Sequence, residues 1–172
     1  GADLALSFPE AKAVFDEVDA ALDEKLSATI FSGTEASLRL TANAQPALMA
    51  VSLAAVRALE TEGVDVSRAA VGAGHSLGEY SALAAAGALS VGEAARLLRL
   101  RGNAMQTAVP EGEGAMAALL GLDLEAAEDV ASEAAGDSVC DVANDNAPGQ
   151  VVVSGALAAV ERAIHLAKDR GA

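Results

Sequence analysis

With 25 acidic against 11 basic residues among its 172, the chain carries a net charge of -14, which argues against a nucleic-acid or anionic-membrane surface. Hydrophobic residues make up 52% but aromatics only 2%, so a core must be built from Ala, Val, Leu and Ile, which suits an α/β domain with close helix packing. No apolar run approaches the ~20 residues of a membrane span. No basic-then-apolar leader is seen and Cys140 has no disulfide partner, so a reducing cytoplasm is the simplest compartment.

In chain order, Ser7-Phe8-Pro9-Glu10 has capping-box spacing with proline in the first turn, and Ala11, Val14, Phe15, Val18, Leu22 and Leu26 follow at helical spacing. Thr29 to Leu40 is of mixed polarity and reads as a loop with one helical turn. A second helix is expected from Pro46 to Glu62, with Leu48, Met49, Ser52, Leu53, Val56 and Leu59 along one side and Gly63 as its stop. Ala69 to Ala73 then reads as a strand and the alanine-rich run after Gly78 as a helix. Ser90-Val91-Gly92-Glu93 repeats the capping-box spacing and opens a helix to about Ala108.

Pro110-Glu111-Gly112-Glu113-Gly114 is the best boundary in the chain, dividing a first domain, 1–112, from a second, 113–172. Beyond it come a strand (Ala115 to Leu122), a helix (Leu124 to Ala135, capped by Asp123), a strand (Val139 to Ala143), the loop Asn144-Asp145-Asn146-Ala147-Pro148-Gly149, a strand (Gln150 to Ser154) and a helix (Ala156 to Arg170). This βαββα order is that of a ferredoxin-like module lacking its final strand.

At the join of strand and helix stands Gly74-His75-Ser76-Leu77-Gly78, the context of a nucleophile elbow. A strand that turns into a helix within one residue leaves no room for Cβ atoms and holds its serine in a strained conformation. Ser76 is the candidate nucleophile. The backbone N–H of Leu77, at the helix N-terminus, is the candidate oxyanion donor. By spacing alone, a tight turn with an incidental serine is an equal reading. His75 points away from its neighbour at such a turn and reads as a packing residue, His165 as a helix-surface residue and Cys140 as a small core residue. Glu79 complements the helix N-terminus. No metal-ligand cluster or phosphate loop is present, and no cofactor is implied.

Gly74-His75-Ser76-Leu77-Gly78-Glu79-Tyr80-Ser81-Ala82-Leu83, then Arg96-Leu97-Leu98-Arg99-Leu100-Arg101-Gly102 and Met105-Gln106, closely resembles the bacterial malonyl-CoA:acyl carrier protein transacylases. Gln45-Pro46-Ala47-Leu48, Ala108 to Gly112 with Gly114 to Ala117, and Asn146 to Val152 resemble the same family. The resemblance implies an α/β fold in which a hydrolase-like parallel-sheet domain carries an inserted ferredoxin-like subdomain, with the active-site cleft between them. It also implies an internal piece of a longer chain, because the family's first strand with its Gly-Gln-Gly-Ser-Gln loop and its partner histidine have no counterpart in these residues.

On helical position alone, Arg99 and Arg101 solvate a helix and favour its C-terminal dipole. The resemblance instead places Arg101 in the acyl pocket, pairing with the free carboxylate of malonyl. A guanidinium suits that role as a planar fork that stays charged when partly buried. Asn144 and Asn146 read equally as turn residues and as substrate contacts. The implied partners are coenzyme A thioesters and an acidic acyl carrier protein, for which Arg96, Arg99 and Arg101 are the densest basic candidates. Three alternatives stand beside this reading: an acyltransferase domain of a polyketide synthase, a serine esterase of α/β-hydrolase type, and a binding or structural unit without turnover.

Overall fold

The protein, seen here as a computed structural model, is described over residues 1–110 and 112–172. These form two compact units, Gly1–Ala108 and Val109–Ala172, dividing a few residues ahead of the boundary read at 112 because a long helix runs through to Ala108. Glu111, in the middle of that boundary motif, lies outside the described residues.

The first unit is helical. Helices α1 (Ala2–Ser7) and α2 (Pro9–Leu22) are separated by Phe8 in extended conformation, so Ser7 ends one helix instead of capping the next. Pro9 disfavours the helical conformation in the residue before it and pre-sets the first position of α2. Asp23, at φ 53°, stops α2, and Leu26 opens a separate helix, α3 (Leu26–Ser32). The buried Asp19 carboxylate accepts hydrogen bonds from the Ser27 amide and hydroxyl at 2.8 and 2.6 Å, anchoring that first turn. Residues 29–40, expected as a loop with one helical turn, thus fold largely into α3 and a short α4 (Glu35–Arg39). The Thr34 hydroxyl accepts the Ser37 amide at 3.1 Å, and the Phe31 ring meets Phe15 edge-on at 4.9 Å.

Helix α5 (Thr41–Thr61) begins well before Pro46, which lies inside it. Its buried face is Gln45, Met49, Ala50, Leu53, Ala54 and Ala58, while Leu48 (55% exposed) and Leu59 (49%) face outward. Met49 and Leu53 lie inward as expected, but the rest of the buried stripe is on the alanine side, which permits the closest approach of neighbouring helices. Gly63, at φ 89°, follows the helix end as expected. Helices α6 (Gly78–Ala85) and α7 (Val91–Ala108) complete the unit. Ala11, Ala50, Ala54, Ala94 and Ala95 are fully buried beside Phe15, Val18, Met49 and Leu98, so the aromatic-poor core is one of closely approaching helices.

The capping box at α7 is formed in full. Ser90 donates its amide (2.8 Å) and hydroxyl (2.7 Å) to Glu93 Oε2, and the Glu93 amide donates back to Ser90 Oγ at 3.2 Å. Those bonds, the hydroxyl's first, hold the Glu93 carboxyl below its ordinary pKa. A lowered carboxyl stabilises the fold above its unfolded pKa and loses that contribution as pH falls through the folded one. Ser90→Ala should therefore lower stability at neutral pH, because it removes both the cap oxygen and the carboxylate's partner. The gap between wild type and variant in chemical unfolding should narrow on acidification below the carboxylate range.

The strand expected over Ala69–Ala73 is not formed. After a 3₁₀ turn at Val66–Arg68 the chain has no ladder partner among the described residues, and Val71 is 82% exposed. A strand is defined by its neighbour, and residues 69–73 have none among those described. The sheet present among the described residues lies in the second unit.

There β1 (Gly114–Leu120), α8 (Leu124–Ala135), β2 (Cys140–Ala147), β3 (Gln150–Ala156) and α9 (Leu157–Asp169) follow in order. The sheet is antiparallel with strand order β1-β3-β2. Asp123 caps α8 by accepting the Ala126 amide at 2.9 Å. Val151 and Val153 share a core with Val130, Ala134, Val160 and Ala163 from the two helices. Asn144 and Asn146 lie on β2 and not in a loop. The turn is the Pro148-Gly149 pair, with Gly149 at φ 76°, the residue order of a type II turn. No described helix is long and apolar enough to cross a membrane.

Candidate functional site

Ser76 sits at φ 54°, one of two non-glycine residues with positive φ among those described. The strain foreseen at the elbow is thus present without the strand that was to precede it. It is maintained by the turn itself, where Gly78 N–H donates to His75 O at 2.8 Å, Glu79 N–H to Ser76 O at 3.2 Å and Tyr80 N–H to Leu77 O at 3.1 Å. Leu77 is the N-cap of α6, so its N–H stands at the helix N-terminus, where amides have no carbonyl within the helix to meet.

The two glycines are not equivalent. A Cβ on Gly74 would lie 1.9 Å from Gly78 O and 2.4 Å from Glu79 N, whereas one on Gly78 would meet nothing within 4 Å. Gly78 borders a cavity of about 300 Å³ that also takes in Ser52, Leu53 and Val56 of α5. The reading that neither glycine has room for a Cβ therefore holds at Gly74 and fails at Gly78.

Arg101, on α7, reaches the elbow: its Nη2 donates to Ser76 Oγ at 3.0 Å, and its Nη1 donates to Gln45 Oε1. Gln45 is 3% exposed, and its Nε2 donates to Thr41 Oγ1 at 2.9 Å and to Met105 Sδ at 3.3 Å, so its carbonyl is turned toward the arginine. Sequence reasoning placed Gln45 in a matching stretch but gave it no role. The available signal was an amide at a position that helical periodicity puts on the buried side of α5, four residues before Met49. A neutral carbonyl holds a guanidinium without cancelling its charge, which leaves Arg101 a cation for something else.

The three arginines of α7 do not form one basic patch. Arg96 is exposed, Arg101 turns to Ser76, and Arg99 turns inward to Ala42 O, Asn43 Oδ1 and the Glu24 carboxylate. Burial lowers the Arg99 pKa, yet an arginine starts so high that it remains charged. A surface for an acidic partner cannot be drawn from all three.

In the second unit, a β-bulge inserts Asn146 between Asp145, opposite Val151, and Ala147, opposite Gln150. Bulges re-aim side chains at sheet margins. Asn146 itself is exposed. Cys140 is buried, and burial first, then the Asp141 charge, push its thiol pKa up, away from a reactive thiolate. His165 lies exposed on α9.

The acyl transferase domain family matches residues 1–172. The chain belongs to that family. It is 48% identical over 173 residues to a malonyl CoA-acyl carrier protein transacylase of Bacillus subtilis, covering 100% of this chain and 54% of the relative. A transacylase of the same name from Escherichia coli is 45% identical over 171 residues, covering 99% and 55%. Among solved structures, an acyl-carrier-protein-S-malonyltransferase of Bartonella henselae has TM-score 0.90 at 55% identity, covering 98% of this chain and 54% of that one. A malonyl-transacylase in complex with its type II PKS acyl-carrier protein has TM-score 0.90 at 44% identity, covering 99% and 54%. The chain thus spans about half the length of the relatives it matches, and its acyl transferase fold is α/β, helical with a small sheet.

Proposed function

We propose that this acyl transferase chain carries the nucleophile and the acyl-carboxylate site for moving a malonyl group from malonyl-CoA to the pantetheine thiol of an acyl carrier protein in fatty-acid synthesis. The observation that carries the reading is the hydrogen bond from Arg101 Nη2 to Ser76 Oγ. An acyl group esterified to Ser76 would bear its malonyl carboxylate one methylene beyond the ester carbon, within reach of the guanidinium fork. A neutral acyl group would leave that charge unpaired.

Ser76 Oγ attacks the thioester carbonyl while its proton passes to a general base, a histidine by family resemblance from sequence outside these residues. The tetrahedral oxyanion is met by Leu77 N–H at the N-terminus of α6. The carbon–sulfur bond then breaks and coenzyme A leaves as its thiol, taking up the proton. The carrier's pantetheine thiol attacks the malonyl-serine ester in the reverse sense and restores the Ser76 hydroxyl, so the kinetics are ping-pong. No cofactor or metal is called on, and the setting is the cytoplasm.

On this reading the first unit is the elbow-bearing part of a hydrolase-like domain, whose parallel sheet supplies the neighbour that residues 69–73 lack. The second is a ferredoxin-like module short of its last strand; its βαββα order and β1-β3-β2 antiparallel sheet support that. Asn146, on its bulge, is assigned to substrate contact.

Intact mass of the full-length protein after mixing with malonyl-CoA tests the proposal. The expected result is a malonyl adduct on the Ser76 peptide, lost in Ser76→Ala and discharged by a pantetheine thiol. An adduct that persists in the variant would overturn it, and discharge to water in preference to thiol would point to an esterase.

A further inference from the structure

We propose that Arg99 is a positioning residue for Arg101, acting through the proline-containing start of α5; this rests on Arg101 being the carboxylate-binding side chain. A proline within a helix has no N–H for the carbonyl four residues earlier. In α5 that carbonyl is Ala42, and Arg99 Nη1 donates to it at 2.6 Å. The same nitrogen donates to Asn43 Oδ1 at 2.6 Å, and Nη2 pairs with Glu24 just beyond α2. The Arg99 side chain is 18% exposed, so its contacts are those of a bolt between helices and not of a solvated surface charge.

The turn it bolts is the one that carries Gln45. Arg99 holds the backbone of that turn at Ala42 while Arg101, two residues on along α7, is held by its Gln45 side chain. Two further contacts register the turn on α7. The Thr41 amide donates to Gln106 Oε1 at 3.2 Å, and Gly102 packs so closely that a Cβ there would lie 2.6 Å from Ala42 Cα. Any shift of Ala42 relative to α7 moves Gln45 Oε1 and releases the guanidinium from its place beside Ser76.

Pro46 supplies a test that mere stabilisation by Arg99 would not pass. In Arg99→Met the Ala42 carbonyl has neither its helical N–H nor its guanidinium; adding Pro46→Ala returns the N–H. Initial rates with malonyl-CoA and acetyl-CoA, measured on the full-length protein with thermal unfolding followed in parallel, give the ratio of the two kcat/KM values, which does not depend on the fraction folded. Arg99→Met should lower the malonyl-to-acetyl ratio about tenfold, mostly through a higher KM for malonyl-CoA. Arg99→Met/Pro46→Ala should recover most of the ratio, and Arg99→Lys part of it. An unchanged ratio in Arg99→Met, or no recovery in the double variant, overturns the proposal. A wild type that does not prefer malonyl overturns instead the reading of Arg101 on which it rests.

Discussion

Arg101→Ala is expected to lower malonyl loading of Ser76 roughly a hundredfold, the equivalent of about 3 kcal/mol for a lost charge-assisted hydrogen-bonded pair. Acetyl loading should change by less than about threefold, because an acetyl group has no carboxylate for the fork to hold. The asymmetry follows from how the cation is kept. Gln45 meets Arg101 with a neutral carbonyl and Ser76 meets it with a hydroxyl, and neither cancels its charge. Among the described residues no carboxylate pairs with Arg101, whereas Arg99 is paired with Glu24. Of these two arginines of α7, one is thus used up in the fold and the other is held ready. Removing Arg101 also leaves the buried Gln45 carbonyl without its donor, at a cost of ~1–3 kcal/mol of stability. The check is kcat/KM for both thioesters with unfolding measured alongside. Equal losses on malonyl and acetyl would mean that Arg101 serves Ser76 or the fold and does not select the acyl group.

The parts legible in sequence were those fixed by local chemistry. Asp123 before α8, the Ser90–Glu93 box, Gly63 after α5 and the strained Ser76 are set by backbone groups a few residues away, and each is found where residue types place it. What was misread depended on distant partners. Residues 69–73 have the composition of a strand but no neighbour to pair with among those described. By sequence, α5 is expected to start at Pro46. In the structure Arg99, from α7, satisfies the carbonyl that proline leaves open, and the helix continues back to Thr41. Ser7 has the spacing of a cap, but Pro9 makes Phe8 the break. At the site, Ser76 and Arg101 are 25 residues apart, and the hydrogen bond that joins them is a tertiary contact that no local pattern encodes.

The same contrast between backbone and open space yields the second large effect. Gly74→Ala should remove acyl-enzyme formation at Ser76 and cost on the order of 3 kcal/mol or more, the upper range for overpacking. Its Cβ would fall 1.9 Å from Gly78 O, 2.0 Å from Gly78 C and 2.4 Å from Glu79 N, all backbone, so no side chain can swing aside to accommodate it. The turn would have to open, and with it would go the hydrogen bonds that hold Ser76 at φ 54° and Leu77 N–H at the start of α6. Gly78→Ala makes the control. It adds the same methyl at the other end of the motif, where the space is open and the residue is already helical, so its effect should lie between neutral and ~0.5 kcal/mol stabilising. Thermal unfolding and malonyl-adduct yield, measured on both variants, decide the matter. If the two substitutions were equally tolerated, the elbow would not depend on the close approach at Gly74. If both were equally damaging, Gly78 would have to face something in the full-length protein that fills the cavity beside it.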